Sequence, residues 1–488
     1  MKITFPTEYR MNSGTLAQLL GGTVCVPGTD RIPLSGLCTD SREADADTAF
    51  VALLGERTDG KRFLSSAVDT GCRCVVYAGT VAESLLPKTV ARIAVADTEQ
   101  ALLHMAAVLC SKLPAKVVAV TGSVGKTTTK DLIGGVLSET FGTYVSSGNH
   151  NSLIGMPMSV AEIPPAAEWA VLEMGMSGFG EIEKMSDAAK PEIAVITNIG
   201  SAHMEMLGSR ENICRAKLEI LCGLRDGGHL IVNGDEPLLR HIGGKSYRTH
   251  EVSLLRDTAE FFAQNIRMDG DFTCFDAGCA GKRMKDVRLP VMGRHHVYNA
   301  LFAIAVGTVA GVPEERIREG LLRYRSDGFR QKEMKIGDVT VIADCYNASP
   351  ESMEAALEVL SQLRGQRGCR AIAVLGDMRE LGQESAALHR AVGSAVARQK
   401  TDFLFTVGHD AEQIAVGAMQ GGMPPECVFR NSDTEAPECT ARAMATLLRS
   451  GDLVLVKASR AVRAERVINC LKEMMSGENP SVRGGNEK

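Results

Sequence analysis

The chain reads as an α/β protein of three domains, the second and third built on parallel sheets, and three observations lead there. Its 488 residues suit roughly three domains of about 150 residues each. Short apolar runs alternate with helical patterns, first between residues 117 and 309 and again beyond residue 339, as repeated βαβ units require. One of these runs, residues 116–121, leads into Gly122-Ser123-Val124-Gly125-Lys126-Thr127-Thr128, a glycine turn closed by a lysine and hydroxyls. The expected division is a mixed α/β N-terminal domain over 1–114, a central parallel-sheet domain over 115–329, a Rossmann-like α/β domain over 330–475 and a disordered tail over 476–488.

The elements follow in order. In the first unit, short apolar runs such as 74–77 and 93–95 alternate with helical stretches such as 99–113, which Pro114 ends. In the second, strands are expected at 117–120, 170–172, 193–197 and 230–232. Residues 260–292 are polar, contain glycine and have a short period, which predicts a small antiparallel excursion before helix returns at 299–309. The third unit begins after Gly328-Phe329-Arg330, with strands at 339–343, 372–375, 403–407 and 453–456. Ser349 followed by Pro350 marks a helix start, the serine as cap and the proline at the first helical position.

Composition narrows the class. Hydrophobic residues make up 44% and charged residues 23%, as in an ordinary globular protein. A formal charge of −5 argues against a nucleic-acid partner. There is no apolar leader core and no run long enough to span a bilayer, so neither secretion nor membrane insertion is expected. The 14 cysteines are scattered, and Cys72 and Cys74 are too close for a Cys-x-x-Cys pair, so reduced thiols in a cytoplasmic protein are expected, without zinc.

The chemistry-bearing residues lie where strands end. A glycine turn followed by a helix presents backbone N–H groups and the positive end of the helix dipole to a phosphate chain. Lys126 adds a compact charge and the Thr127 hydroxyl a ligand for Mg²⁺. Val120 stands where the strict motif has glycine, so the loop is a shortened form. Glu173 ends the 170–172 run at the sheet edge where ligands sit, placed to hold Mg²⁺ or simply to be solvated. His203 follows the next strand, as a ligand or a loop histidine. Lys217, in Ala216-Lys217-Leu218-Glu219, reads as a surface charge or as a desolvated neutral amine able to take up CO₂ as a carbamate. Asn299, after His295-His296, suits a purine edge or a local amide cap. Asp344-Cys345-Tyr346-Asn347-Ala348-Ser349 forms a polar cluster typical of a binding loop. Lys457 and Arg460, either side of Ala458-Ser459, can meet a carboxylate or phosphate.

Together these residues resemble the Mur ligase family, the ATP-dependent amide-forming enzymes of peptidoglycan precursor synthesis. The resemblance runs through nearly the whole chain. Thr39-Asp40-Ser41-Arg42, Phe50-Val51-Ala52-Leu53 with Gly55, and Asp59-Gly60 resemble its UDP-sugar-binding domain. Residues 121–129 resemble its ATP loop. Asn149-His150-Asn151-Ser152 with Gly155 and Pro157, then Glu173, His203 and Lys217, match its central domain. The stretch from Asp344 to Met353, and Leu375-Gly376-Asp377-Met378 with Glu380-Leu381-Gly382, resemble the branch that adds D-alanyl-D-alanine. Ser152, Ala458 and Ala464 depart from the usual residues.

The resemblance implies roles. ATP would be bound by Gly122, Ser123, Val124, Gly125, Lys126, Thr127 and Thr128, with His295, Asn299, Arg330 and Asp344. Mg²⁺ would be held by Thr127 and Glu173, and a second ion by His203 and carbamylated Lys217. UDP-N-acetylmuramoyl-tripeptide and D-alanyl-D-alanine would be bound by Asp40, Ser41, Arg42, Asn149, Asn151, Asn347, Ser349, Lys457, Ser459 and Arg460. Catalysis would fall to Lys126, Glu173, His203 and Lys217, in a monomer. Two other readings stay open. Acceptor assays with other amines would reveal a different amide ligase of the superfamily, and the joint presence of Lys126, Thr127, Glu173, His203 and Lys217 speaks against a non-catalytic nucleotide-binding protein.

Overall fold

The structure is a computed structural model describing residues 1–9, 11–55, 58–240, 242–325 and 331–476. It is an α/β molecule in which three sheets follow one another along the chain. The first has six strands, ordered Lys2–Thr4, Gly36–Cys38, Thr48–Val51, Cys74–Ala78, Ala91–Val95 and Thr23–Val24, with the inner four parallel and the edges antiparallel. The short strands at 2–4, 23–24, 36–38 and 48–51 carry too few residues for an alternation to stand out in the sequence.

The second sheet has nine strands. Lys116–Thr121 lies inside it, between Trp169–Glu173 and Ile193–Ile196, all parallel and almost wholly apolar because both faces are covered. Beyond His229–Asn233 and Arg248–Ser253 the sheet continues into Phe261–Asp269, Phe272–Cys279 and Lys282–Leu289, joined antiparallel to one another, as the 260–292 pattern predicts. The helix Arg294–Ala310 is apolar on nearly every side and lies buried against the helix Lys126–Ser138.

One buried cluster runs from the first sheet through the helix Thr98–Lys112 into one face of the second, and Tyr9 Oη donates to the Ile163 carbonyl across the same junction at 2.6 Å. The third sheet, ordered Lys332–Ile336, Val339–Asp344, Leu453–Lys457, Ala371–Gly376, Phe403–Val407 and Val428–Asn431, is parallel except at its first pair. Its buried clusters contain no residue before Ile336. The third sheet therefore has its own core and meets the second mainly through polar contacts, an arrangement suited to relative motion. The expected tail from residue 476 and the Gly328-Phe329-Arg330 join lie outside the described residues, apart from Ser476, which ends the last helix. Among the described residues no helix is long and apolar enough to cross a membrane.

The third core has a tight point. The helices Ser385–Arg398 and Glu412–Gln420 cross where Gly393 and Gly417 face the opposite backbone. A Cβ on Gly393 would sit 2.0 Å from the Ile414 carbonyl oxygen, and one on Gly417 2.1 Å from that of Arg390. Alanine is the better helix former by about 1 kcal/mol, but here the obstacle is backbone that cannot turn aside. Gly393→Ala should lower stability by roughly 1–3 kcal/mol, read as an earlier urea midpoint; an unchanged or later midpoint would contradict this packing.

Candidate active site

The strand Lys116–Thr121 ends at the phosphate loop, and the loop is held open from behind. Gly122 has φ 147°, and a Cβ there would lie 1.8 Å from Thr197 Oγ1, so the turn passes the next strand end with no room for a side chain. Asn198 Oδ1 accepts the N–H groups of Ser123 and Val124 at 3.1 and 2.9 Å, and Thr197 Oγ1 donates to the Val124 carbonyl at 2.6 Å. These amides therefore brace the loop instead of facing an anion. Gly125, at φ 82°, starts the helix Lys126–Ser138, which no side chain caps. Its first turn, Lys126 to Thr128, faces a cavity of about 700 Å³. Lys126 Nζ donates to the Gly122 carbonyl at 2.8 Å.

Glu173, 2% exposed, ends the neighbouring strand. Its carboxylate accepts from Thr127 Oγ1 at 2.8 Å and from Asn151 Nδ2 at 2.7 Å. The loop carrying Asn149 and Asn151 is tied to the same helix, since the buried Lys130 ammonium donates to the carbonyls of Ser146 and Gly148. Ser152 Oγ accepts the Gly155 N–H at 3.1 Å, a local role for the departure at that position.

Lys217 does not lie on the surface: it is 1% exposed and makes no hydrogen bond or ion pair among the described residues. Burial, and then the charge of Lys126, pull its amine well below the ordinary lysine range, favouring the neutral form. His203 caps the short helix Met204–Leu207 at φ 67°, and its Nδ1 lies 2.6 Å from Glu380 of the third sheet's loops. That contact holds the Glu380 carboxyl below its ordinary range. Thr127 with Glu173 is a small donor set; no group of three or more His, Cys, Asp or Glu able to hold a metal occurs among the described residues. A paired hydroxyl and carboxylate suit Mg²⁺, which keeps waters and phosphate oxygens and takes few protein ligands.

Asn299 is 6% exposed and spends its amide inside the protein, accepting from Thr129 Oγ1 at 3.1 Å and meeting His296 Nδ1 at 3.3 Å. This favours the local-cap reading over the purine edge. His295, beside Gln331 and with its ring tilted against that of His296, is held well below the usual imidazole range by burial.

The third sheet contributes its own strand ends. Asp344 and Lys457 form a buried ion pair at 2.7 Å, and Lys457 also reaches the Asn347 carbonyl at 3.0 Å, so this lysine is already neutralised. Arg460 is exposed, with its guanidinium 5.6 Å from the centre of the Tyr346 ring. Ser349 caps the helix Pro350–Arg367 in a reciprocal capping box with Ser352. Ser459 Oγ accepts the Arg379 N–H at 3.1 Å. Ala458 is fully buried beside Gly376, so a methyl fits there.

The sequence-derived residues thus fall into three groups. Ser123 to Thr128, Asn149, Asn151, Glu173, His203, His295 and Asn299 line the cavity from the second sheet, and Asp344, Asn347, Ser349, Lys457, Ser459 and Arg460 from the third. Gly122 and Lys217 stand behind that wall, and Arg330 lies outside the described residues. Asp40, Ser41 and Arg42 lie apart from this cavity, on the first sheet; Arg42, with its side chain 85% exposed, grips Asp40 at 2.6 Å and holds that carboxyl far below its ordinary range. Sequence reasoning gave no site role to Asn198, Glu351, Arg379 and Glu380, which also line the cavity. Asn198 stands in a strand-end loop, and Arg379 and Glu380 in the 375–382 stretch on which the resemblance partly rests; Glu351 carries no local signal.

The sequence profile of the Mur ligase middle domain matches residues 120–307, and that of the Mur ligase glutamate ligase domain residues 329–460. The UDP-N-acetylmuramoyl-tripeptide–D-alanyl-D-alanine ligase of Bacillus subtilis is 36% identical over 94% of this chain and 97% of its own length. Its Escherichia coli counterpart is 32% identical over 95% and 99%. MurF from Acinetobacter baumannii superposes with a TM-score of 0.84 at 30% identity, covering 96% of this chain and all of that one. MurF from Thermotoga maritima in complex with ADP gives 0.78 at 26% identity, covering 91% and 98%. The chain therefore belongs to the Mur ligase family, on the branch of the UDP-N-acetylmuramoyl-tripeptide–D-alanyl-D-alanine ligases.

Proposed function

We propose that this chain is an ADP-forming ligase that joins D-alanyl-D-alanine to UDP-N-acetylmuramoyl-tripeptide at the expense of ATP, in the cytoplasm, during peptidoglycan precursor synthesis. The observation that carries this is one cavity onto which the phosphate loop, the Thr127–Glu173 pair and the 344–352 and 379–380 loops of the third sheet all open. In this reading residues 1–114 hold the UDP-sugar through Asp40, Ser41 and Arg42, residues 115–329 hold ATP, and residues 330–475 bring the acceptor.

The tripeptide carboxylate attacks the γ-phosphorus of ATP, a new C–O–P linkage forms, and ADP leaves. The dipeptide amine then attacks the acyl carbon and expels phosphate. That amine has an ordinary pKa near 8, so part of it is already neutral. Lys126 neutralises charge on the phosphoryl group in transit. Thr127 with Glu173, and His203 with Lys217, would hold Mg²⁺, which would supply the remaining screening of two approaching anions. Lys217 would serve as a carbamate: its neutral amine adds to CO₂ and loses a proton, leaving two anionic oxygens. Its burial without a partner beside Lys126 supports that reading. Closure of the third domain would exclude water, which would otherwise hydrolyse the acyl phosphate.

Phosphate release should require both UDP-N-acetylmuramoyl-tripeptide and D-alanyl-D-alanine, and Lys126→Ala should reduce it by roughly a thousandfold or more. Release that ignores the dipeptide, or accepts lysine or glutamate equally, would overturn the assignment. For the first domain, Arg42→Ala should raise KM for the UDP substrate at least about tenfold while leaving KM for ATP near its starting value, by loss of one charge-assisted contact; equal changes in both would remove Arg42 from sugar recognition. Lys217→Ala should leave about 1% of activity or less, as loss of a metal-ligand carboxylate does, and a short-chain carboxylic acid in the buffer should restore part of it by filling the vacated space. A fully active Lys217→Ala would exclude the carbamate.

A further inference from the structure

The loop 200–205 of the second sheet is held from the third by two carboxylates. Glu351 Oε1 accepts from the Ser201 N–H and Oγ at 2.8 and 2.9 Å. Glu380 takes His203 Nδ1 at 2.6 Å, and its carbonyl accepts the Glu205 N–H at 3.0 Å. His203 and Glu380 both have positive φ, 67° and 66°. Side chains other than glycine avoid that region unless the surroundings impose it, and such residues gather at functional sites. Here two of them meet each other across the junction.

Glu380 is set rigidly on its own domain. The buried Asp377 carboxylate accepts the Ala411 N–H at 2.8 Å, Met378 N–H donates to His389 Nε2 at 3.0 Å, and Arg379 N–H to Ser459 Oγ at 3.1 Å. The 377–380 turn therefore moves with the third sheet, and the position of the Glu380 carboxylate reports where that sheet lies. An ionised carboxylate only accepts, so the His203 nitrogen facing it carries the hydrogen. The Nε2 lone pair is then left for the cavity, which His203 lines together with Lys126 and Glu173. A carboxylate on the far nitrogen of a ligating histidine fixes its tautomer and ring orientation and raises its basicity.

We propose that Glu380 is a positioning residue for the ligase reaction: it reaches across from the third domain to orient His203, so that the donor set for the second cation is complete only when that domain is closed. Glu351 contributes docking alone, since it bonds Ser201 and not the imidazole. This inference rests on the reading of His203 as a cation ligand. It places in one side chain a link between domain closure and readiness for chemistry, and it keeps the cation site incomplete while the cleft is open to water.

The test uses the full chain with a non-hydrolysable ATP analogue and UDP-N-acetylmuramoyl-tripeptide, with Mn²⁺ as the probe followed by electron paramagnetic resonance. The Glu380 side chain is 56% exposed, so substitution leaves the core untouched. Glu380→Ala should weaken one of two Mn²⁺ sites by about 10–100-fold while small-angle scattering shows the ligand-bound chain as compact as the unmodified one. Glu380→Gln, whose amide oxygen still accepts from Nδ1–H, should recover most of that affinity. In turnover, Glu380→Ala should lower kcat with KM for ATP little changed, and should add nothing to His203→Ala. Unchanged Mn²⁺ affinity in Glu380→Ala, when His203→Ala loses a site, would overturn the inference alone. Loss of compaction in Glu380→Ala would make the residue a strap and overturn it likewise. Two intact Mn²⁺ sites in His203→Ala would overturn the reading of His203 itself.

Discussion

Lys217 is buried, and that burial, with the charge of Lys126 adding to it, pushes its amine well below the ordinary lysine range. A phosphoryl-transfer site needs a dense field of positive charge, but a second buried ammonium with no partner is a costly way to provide it. Burial favours the neutral amine at Lys217, while Lys126 stands at the phosphate loop. A neutral amine in that position is reactive toward CO₂, and as a carbamate it would bring negative charge to the place where cations must sit. The same two residues thus account for the attraction of phosphate and for the proposed retention of metal.

Other charged groups of the cleft have fixed partners. Asp344 and Lys457 neutralise each other at 2.7 Å, and the Glu173 carboxylate accepts hydrogen bonds from the neutral Thr127 and Asn151. What remains exposed on the side of the third sheet is Arg460 above Tyr346, with Arg379 partly free of Asp377 at 3.4 Å. Phosphates and carboxylates that enter the cavity would meet these two arginines and Lys126.

Much of the fold was legible because the information is local. A β-branched apolar strand, two glycines, a lysine and a helix start within a dozen residues, and the pattern identifies the phosphate loop whatever surrounds it. The strands 339–343, 372–375, 403–407 and 453–456 were visible for the same reason: buried on both faces, they are continuous apolar runs. Edge strands were not. Lys332–Ile336 carries charges along its length because one side faces solvent, and its pairing is decided by the neighbouring strand. The site shows the same division. Lys217 lies on a helix, Arg210–Leu218, whose sequence is polar, so its burial depends on what packs against it and could not be read from spacing. Asn299, early in the helix Arg294–Ala310, and Lys457, at the end of the strand Leu453–Lys457, were recognised as polar residues near element ends, but their partners, Thr129 and Asp344, lie 170 and 113 residues away. Glu380 was visible as part of the 375–382 stretch, but the side chain it meets appears only once His203 lies opposite.

The separation of the cores explains why that opposition matters. The first two sheets share a continuous apolar cluster and behave as one platform, whereas the third is closed around its own residues and touches the platform through Ser201–Glu351 and His203–Glu380, with Met292 at the apolar margin. Polar contacts between two finished cores exchange readily with water, so each is worth about 1 kcal/mol and not the several that a fused hydrophobic seam would give. The third domain can therefore leave to admit the acceptor and return to enclose it without unfolding anything. A fused core would hold the catalytic groups together permanently and trap the product. A chain without cross-domain contacts would close with no fixed register between the phosphate loop and the acceptor loops. A few directional hydrogen bonds at the rim of the cleft satisfy both demands, and they fall on the loop that carries His203.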